Sequence, residues 1–356
     1  MSHLASSGES PAPSGRRGAL ARAIVLWAVI AALLVAALGA AWGALSRDVY
    51  GPAAFVREYL DALSVGDAAG ALTIPGVAVD RADLNAAGLP AGSSDALLRK
   101  DALGVLSGIR FISDVHEADG SHSITFAYTS GGLAGKTTYR VSDTGSTFGL
   151  FPSWTFQHTP LSSIALTVQH STQFRANGFA LDTRQVAPAE QEAGFTNTVS
   201  LLTFTPSAVD FDLDTPLLHA AKQTVHAVDT RSVLDAAVKT KPTAAFVDEV
   251  RTQLTSYLDS CATQVVLQPT GCPFGMYVKD RVTDAPVWSI TTVPDVQVLA
   301  GGTSWVMPST PGAAHIVVEV QSLFDGSVST LDEDVPFSLS AFITVRDDAS
   351  LFIDLR

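Results

Sequence analysis

The chain contains very little cysteine, methionine or lysine. Of its 356 residues, 2 are cysteine, 3 are methionine and 6 are lysine, whereas apolar residues make up 47%. That apolar content is enough to form hydrophobic cores, so the domains can fold without structural metal ions. A chain of this length exceeds the size at which a single core usually stops growing, and it predicts two or three domains.

Several catalytic signatures are also missing from the sequence. It has no HExxH pair and no G-x-S-x-G nucleophile turn, and His158, His170, His219 and His226 are scattered. The segment SGGLAGKT, residues 130–137, has Ser130 where a phosphate-binding loop needs its first glycine. A strand-like segment follows it instead of a helix, so the pattern favours a hairpin loop over a nucleotide site.

The charge is unevenly distributed along the chain. Residues 1–47 contain four Arg and one Glu, and the remainder contains 18 basic and 34 acidic residues, a net charge of −16. So acidic a remainder argues against binding nucleic acid or anionic lipid. No cofactor or metal site is predicted.

An uninterrupted apolar segment covers Ala23 to Leu45. Its 23 residues form a helix of about 34 Å, enough to cross a hydrocarbon core of about 30 Å. A cleaved signal peptide is the alternative, but its apolar stretch is normally only about 7–15 residues. Arg16, Arg17 and Arg22 precede the segment, so we expect the N-terminus in the cytoplasm, the tail 1–22 disordered and the domains extracellular.

The predicted span has one face of small residues. Ala32, Ala36, Gly39 and Gly43 follow helical spacing, and the Gly39–Gly43 pair is typical of helices that approach closely. This face is the candidate for a homodimer through the span. The abundance of alanine is the competing explanation.

The two cysteines, Cys261 and Cys272, lie near each other in the sequence. Outside the membrane a lone pair of this kind more often forms a disulfide than a reactive site. Cys261 continues the helical apolar pattern that starts at Phe246, and Cys272 precedes Pro273 in a loop. A zinc site would need further Cys or His nearby, so the sequence predicts a disulfide.

An internal similarity suggests how the extracellular part is organised. PAAFVREYLDAL at residues 52–63 and TAAFVDEVRTQL at residues 243–254 share the frame A-A-F-V-x-E, and strand-like segments follow each. Chance similarity between alanine-rich helices is the alternative. The predicted class is α+β, with a transmembrane helix at 23–45, α+β domains at 51–156 and 233–356, and a small β-sandwich-like domain at 160–230.

Within the middle domain, VDFDLD places Asp210, Asp212 and Asp214 on one face of a strand. An EF-hand calcium loop would need a Glu at the downstream position that Ala221 occupies. The pattern therefore favours a solvated strand edge over a metal site.

The segment FVREYLDALSVGDAAGAL, residues 55–72, resembles the opening helices of nuclear transport factor 2-like domains, which are cone-shaped α+β domains. The overall layout resembles uncharacterised single-pass envelope proteins of actinobacteria. The resemblance implies a cone whose interior can host acid–base chemistry, with Asp114, His116, Tyr128 and Tyr139 as the candidates.

Two functions remain as expectations. The first is a membrane-anchored, non-catalytic protein that binds or scaffolds an envelope protein or a cell-wall component. The second is an enzyme or small-ligand carrier with a pocket inside the first, cone-shaped module. A deep polar cavity in that cone favours the second, and packed apolar side chains favour the first.

Overall fold

The computed structural model describes residues 15–48, 50–147 and 151–356. The helices of this part are α1 (Gly15–Asp48), α2 (Pro52–Ser64), α3 (Ala68–Thr73), α4 (Thr183–Val186) and α5 (Ala244–Ala262), with a 3₁₀ turn at Lys100–Ala102. The predicted α+β class is confirmed. The expected tail 1–22 is helical from Gly15 onward, and residues 1–14 lie outside the described part.

The first module consists of α2 and α3 packed on an antiparallel meander. Its strands, in the order in which they pair, are β1 (Leu106–His116), β2 (His122–Ser130), β3 (Leu133–Thr147) and β4 (Phe151–Phe156). The apolar positions of α2 bury Val56, Tyr59, Leu60 and Leu63, and Phe55 is partly buried. Asp67 caps α3 by accepting a hydrogen bond from the Gly70 amide at 2.8 Å.

The strands of this module agree only in part with the sequence patterns. The loop 130–137 is a hairpin as predicted, with Gly131 and Gly132 at φ of 56° and 82° between paired Ser130 and Leu133. The strand-like segment 146–151 of the sequence overlaps the end of β3 and the start of β4, and residues 148–150 lie outside the described part. The sequence patterns did not indicate β1, because most of its residues are exposed and its burial does not alternate.

The middle module has two sheets. One pairs in the order β12 (Lys241–Pro242), β10 (Leu218–Ala227), β9 (Ser207–Asp214), β6 (Gln173–Ala176) and β7 (Phe179–Asp182). The other pairs in the order β11 (Val233–Lys239), β5 (Leu161–Gln169) and β8 (Thr196–Phe204), with β11 parallel to β5. Residues 233–242 therefore pair with the middle sheets, although the sequence analysis assigned them to the last module.

The last module packs α5 on a sheet built around two long strands. The strands are β13 (Arg281–Val282), β14 (Val287–Thr292), β15 (Leu299–Ala300), β16 (Trp305–Gln321), β17 (Val328–Val345) and β18 (Leu351–Leu355). Successive parts of β16 pair with β13, β14 and β15, and its other edge pairs with β17. The strand-like segments 303–307 and 315–324 of the sequence thus both overlap the single strand β16.

Cys261 and Cys272 form the predicted disulfide. Their Cα atoms are 5.8 Å apart, within the limit of about 7 Å for a bridge. The loop between them is also held by hydrogen bonds, from the Tyr257 hydroxyl to the Gly271 carbonyl at 2.6 Å and from the Thr270 amide to Gln264 Oε1 at 2.8 Å.

The buried hydrophobic residues of the described part form two clusters. One fills the first module and includes Leu161, Leu202 and Phe204 of the middle module. The other runs from the middle sheets into the last module, where it includes Phe246 and Trp305. The middle and last modules therefore share a continuous core. This shared core holds the two modules at the positions that form a cleft between them.

Candidate functional site

A cleft of about 610 Å³ lies between the middle and last modules. On the middle side it is lined by the loop after β5, by residues 193–195 and by the turn before β10. On the other side it is lined by the start of β16 and by the end of β17 with the turn after it. Because these segments are far apart in the chain, the cleft exists only when both modules are folded.

Aromatic rings form one wall of the cleft. The ring of His170 lies 4.9 Å from that of Phe195 and 5.3 Å from that of Trp305, centroid to centroid, and Phe195 lies 5.6 Å from Trp305. Trp305 is buried against Phe246 of α5, at 5.9 Å. The His170 amide donates a hydrogen bond to the Phe195 carbonyl at 2.6 Å, which joins the two lining loops. The wall is therefore fixed by packing from both modules.

An ion-pair network crosses the mouth of the cleft. Arg184 of α4 lies 2.9 Å from Asp182 and 3.0 Å from Asp347 of the last module. Burial alone would raise the pKa of the Asp182 carboxyl, but hydrogen bonds from Arg184 and Thr172 outweigh it and hold that pKa below its usual value. The Arg184 side chain thus links the two modules, and its charge is compensated within the protein.

The interior of the first module is filled by side chains. Tyr59, Phe126 and Tyr139 are fully buried there, and Phe156 packs on both tyrosine rings. Burial raises the pKa of Tyr59 and Tyr139 well above the usual value, so both hydroxyls stay protonated and donate to the Thr205 carbonyl, at 3.0 and 3.1 Å. The interior of the first module is therefore packed with aromatic and apolar side chains.

The four candidates for acid–base chemistry do not form one site. Tyr128 is buried and its hydroxyl lies 2.6 Å from the Thr137 hydroxyl, far from the solvent-exposed end of the sheet. Asp114 and His116 lie at that end, where Asp114 Oδ1 is 2.7 Å from Nδ1 of His122 and the His116 ring is 4.9 Å from the His122 ring. The sequence analysis named Asp114 and His116 but missed His122, which pairs with His116 across the strands.

The four scattered histidines of the sequence do not come together in one site. His158 and His219 are exposed, and burial lowers the pKa of His158 and of the partly buried His226. Of the four scattered histidines, only His170 lines the cleft.

Basic side chains on the neighbouring strands neutralise two carboxylates of the row on β9. Asp210 lies 2.8 Å from Lys222, and Asp212 lies 2.7 Å from Arg175. The strand is central and not an edge strand, because β10 and β6 flank it. This corrects the expectation of a solvated edge, and cross-strand ion pairs account for the row. Among the described residues no group of three or more His, Cys, Asp or Glu side chains could hold a metal ion.

The small-residue face of the predicted span lies on α1. Ala32, Ala36 and Gly39 are exposed, and Gly43 belongs to the same helix. Within the described part, α1 is the one helix long and apolar enough to cross a membrane, and a signal sequence has the same properties.

Comparison with protein-family models, with curated proteins and with solved structures finds no match.

Proposed function

We propose that this protein is a single-pass, membrane-anchored protein of the bacterial cell envelope that binds or scaffolds a partner outside the membrane without catalysis. The N-terminus is cytoplasmic and the three modules are extracellular. The partner is an envelope protein or a cell-wall component.

Three observations support the location. The apolar window of α1 from Arg22 to Gly39 contains no buried residue, and arginine precedes it. The disulfide suits an oxidising compartment. The net charge of −16 beyond residue 47 suits a solvated surface.

The cleft is the observation that carries the binding function. It is lined by aromatic rings and neutral polar side chains. Its cationic side chains already have internal partners, since Arg184 binds Asp182 and Asp347 and Arg346 lies 4.9 Å above the Phe352 ring. This arrangement suits binding of a mainly neutral or apolar group.

The proposal includes a nuclear transport factor 2-like fold for the first module. Its order of two helices followed by an antiparallel meander, and the Gly66–Asp67 turn between the helices, support this assignment. The proposal also includes a homodimer through the face of Ala32, Ala36, Gly39 and Gly43.

Filling the cleft tests the binding function. Thr344 lines the cleft and is exposed near the end of β17, so Thr344→Trp should block the cleft. Thr330 is exposed near the start of the same strand and does not line the cleft, so Thr330→Trp is the matched control. The measurement is chemical cross-linking in intact cells, followed by mass spectrometry of the proteins and glycans attached to each variant.

We expect a specific cross-linked partner with the wild-type chain and with Thr330→Trp, and loss of that partner with Thr344→Trp. An identical set of partners for both variants would contradict the cleft as the binding site.

A further inference from the structure

The chain enters the first module directly from α1. Only Val49 separates the end of α1 at Asp48 from Tyr50, and α2 begins at Pro52. From Leu45, the last residue of the apolar segment, the helical residues 46–48 rise about 4.5 Å and the next two residues add at most about 7 Å. Tyr50 therefore lies within about 12 Å of the end of the apolar segment, whatever the orientation of the module.

That distance is comparable to the thickness of the lipid headgroup layer. The polar layer adds about 5–8 Å on each side of the hydrocarbon core. If α1 spans the membrane, Tyr50 lies inside this layer or at most about 4–7 Å beyond its outer edge. The residues around the start of α2 must therefore be compatible with lipid headgroups.

Aromatic residues surround the start of α2. The Trp154 indole donates a hydrogen bond to the Tyr50 carbonyl at 2.9 Å, and its ring lies 5.3 Å from the His122 ring. His122 in turn contacts His116, at 4.9 Å between ring centroids. Tryptophan, tyrosine and histidine combine an apolar body with a polar edge, a combination favoured at the membrane–water interface.

Exposed apolar side chains of β1 extend this surface. Phe111 lines a groove with Ala53 and Ala54 of the first turn of α2. Phe111, Ile112 and Val115 are 45%, 46% and 52% exposed. We call this surface the juxtamembrane face and define it by Tyr50, Phe111, Ile112, His116 and Trp154.

We infer that the juxtamembrane face lies on the lipid surface from which α1 emerges. This inference rests on the proposed membrane anchoring and adds to it the orientation of the first module. The juxtamembrane face contacts the interfacial layer of zwitterionic lipid, because the acidic extracellular part opposes attraction to anionic lipid. Beside this face, Asp114 pairs with His122 and Arg57 pairs with Asp61, and Glu58 also lines the groove next to Phe111. Contact is therefore made by aromatic and apolar side chains.

A single-cysteine fluorophore experiment tests the inference. The native cysteines are bridged, so a cysteine introduced into the unreduced protein is the only reactive thiol. Ile112→Cys places an environment-sensitive nitrobenzoxadiazole label on the juxtamembrane face. Phe324→Cys places it on the turn between β16 and β17, where Phe324 is 99% exposed, as the matched control.

Both labelled full-length proteins are reconstituted in phosphatidylcholine vesicles that contain lipids with a nitroxide near the headgroup. The outcome does not depend on which way the chain inserts, because the first module is tethered to the bilayer in either orientation. We expect a blue-shifted emission and strong nitroxide quenching at position 112, and neither at position 324. Quenching at position 112 should persist in high salt, since apolar contact is not screened.

Failure of the two proposals gives different results. Protein that floats with the vesicles but shows an unquenched label at position 112 would contradict the juxtamembrane face and leave the anchor intact. Equal quenching at positions 112 and 324 would also contradict a specific orientation. Protein that does not float with the vesicles would contradict the anchor and, with it, this inference.

Discussion

Two tyrosine hydroxyls connect the first module to the middle module. Tyr59 and Tyr139 both donate to the Thr205 carbonyl, and the Tyr59 oxygen also lies 3.2 Å from the Pro160 carbonyl oxygen, which can share its single proton. A buried carbonyl left without any hydrogen bond lowers the stability of the folded protein by about 1–3 kcal/mol. Loss of one of its two donors costs less, because the other donor still satisfies the carbonyl. These hydroxyls therefore stabilise the junction cooperatively.

A double-mutant cycle tests this cooperativity. Tyr139→Phe alone should lower the free energy of unfolding by about 1 kcal/mol or less, because Tyr59 still satisfies the carbonyl. Tyr59→Phe with Tyr139→Phe should cost more than the sum of the single changes, because Thr205 then loses both donors. The measurement is urea denaturation of the detergent-solubilised full-length chain.

Tyr277→Phe is the control, since Tyr277 is 76% exposed. It should leave the unfolding free energy unchanged. Strict additivity of the two core substitutions would show that the shared carbonyl does not couple them.

The role of these tyrosines could not be predicted from the sequence. The resemblance to cone-shaped domains suggested Tyr139 as an acid–base candidate, but its hydrogen-bond partner lies 66 residues away in the next module. The carboxylates of β9 illustrate the same limit, because Asp212 is neutralised by Arg175, 37 residues earlier. Contacts at such separations depend on the tertiary fold and leave no local pattern.

At the scale of elements, local patterns were informative where burial is periodic. The apolar spacing of α2 and α5 predicted their buried faces, and Thr243 caps α5 by accepting from the Phe246 amide at 3.2 Å. The Asn177–Gly178 pair is typical of a tight turn, and it forms one between β6 and β7, where both residues have positive φ. The patterns failed for β1, because its residues are mostly exposed, and did not indicate β10 or β11.

The disulfide is the element whose removal has the clearest expected effect. Closing so short a loop stabilises a domain by about 3 kcal/mol on the chain-entropy estimate. Changing Cys261 and Cys272 to Ser should therefore lower the melting temperature of the last module, while membrane insertion and the first module stay unchanged. Differential scanning calorimetry of the full-length chain measures the effect.

Reduction of the wild-type protein provides the matched control. A reducing agent should lower the wild-type melting temperature to that of the double variant and should not affect the variant itself. Two free thiols found by alkylation of the unreduced wild-type protein would show that the bridge is absent in the cell.

At the scale of the whole molecule, the sequence patterns indicated helices followed by antiparallel strands but not how these units contact one another. Helix followed by antiparallel strands occurs twice, in α2 with β1–β4 and in α5 with β13–β18. The cleft could not be predicted, because its walls come from six separate segments between His170 and Ala349. The shared core of the middle and last modules is likewise a product of tertiary packing.

The central claim is that α1 anchors the chain with its modules outside the cell. The most direct measurement is protease digestion of intact cells that carry an epitope tag at each end of the chain, with detergent-lysed cells as the control. The account predicts that protease degrades the modules and the C-terminal tag, and that an N-terminal fragment through about residue 47 survives until the cells are lysed. Protection of the C-terminal tag in intact cells, or a mature protein whose N-terminus begins after α1, would contradict the account.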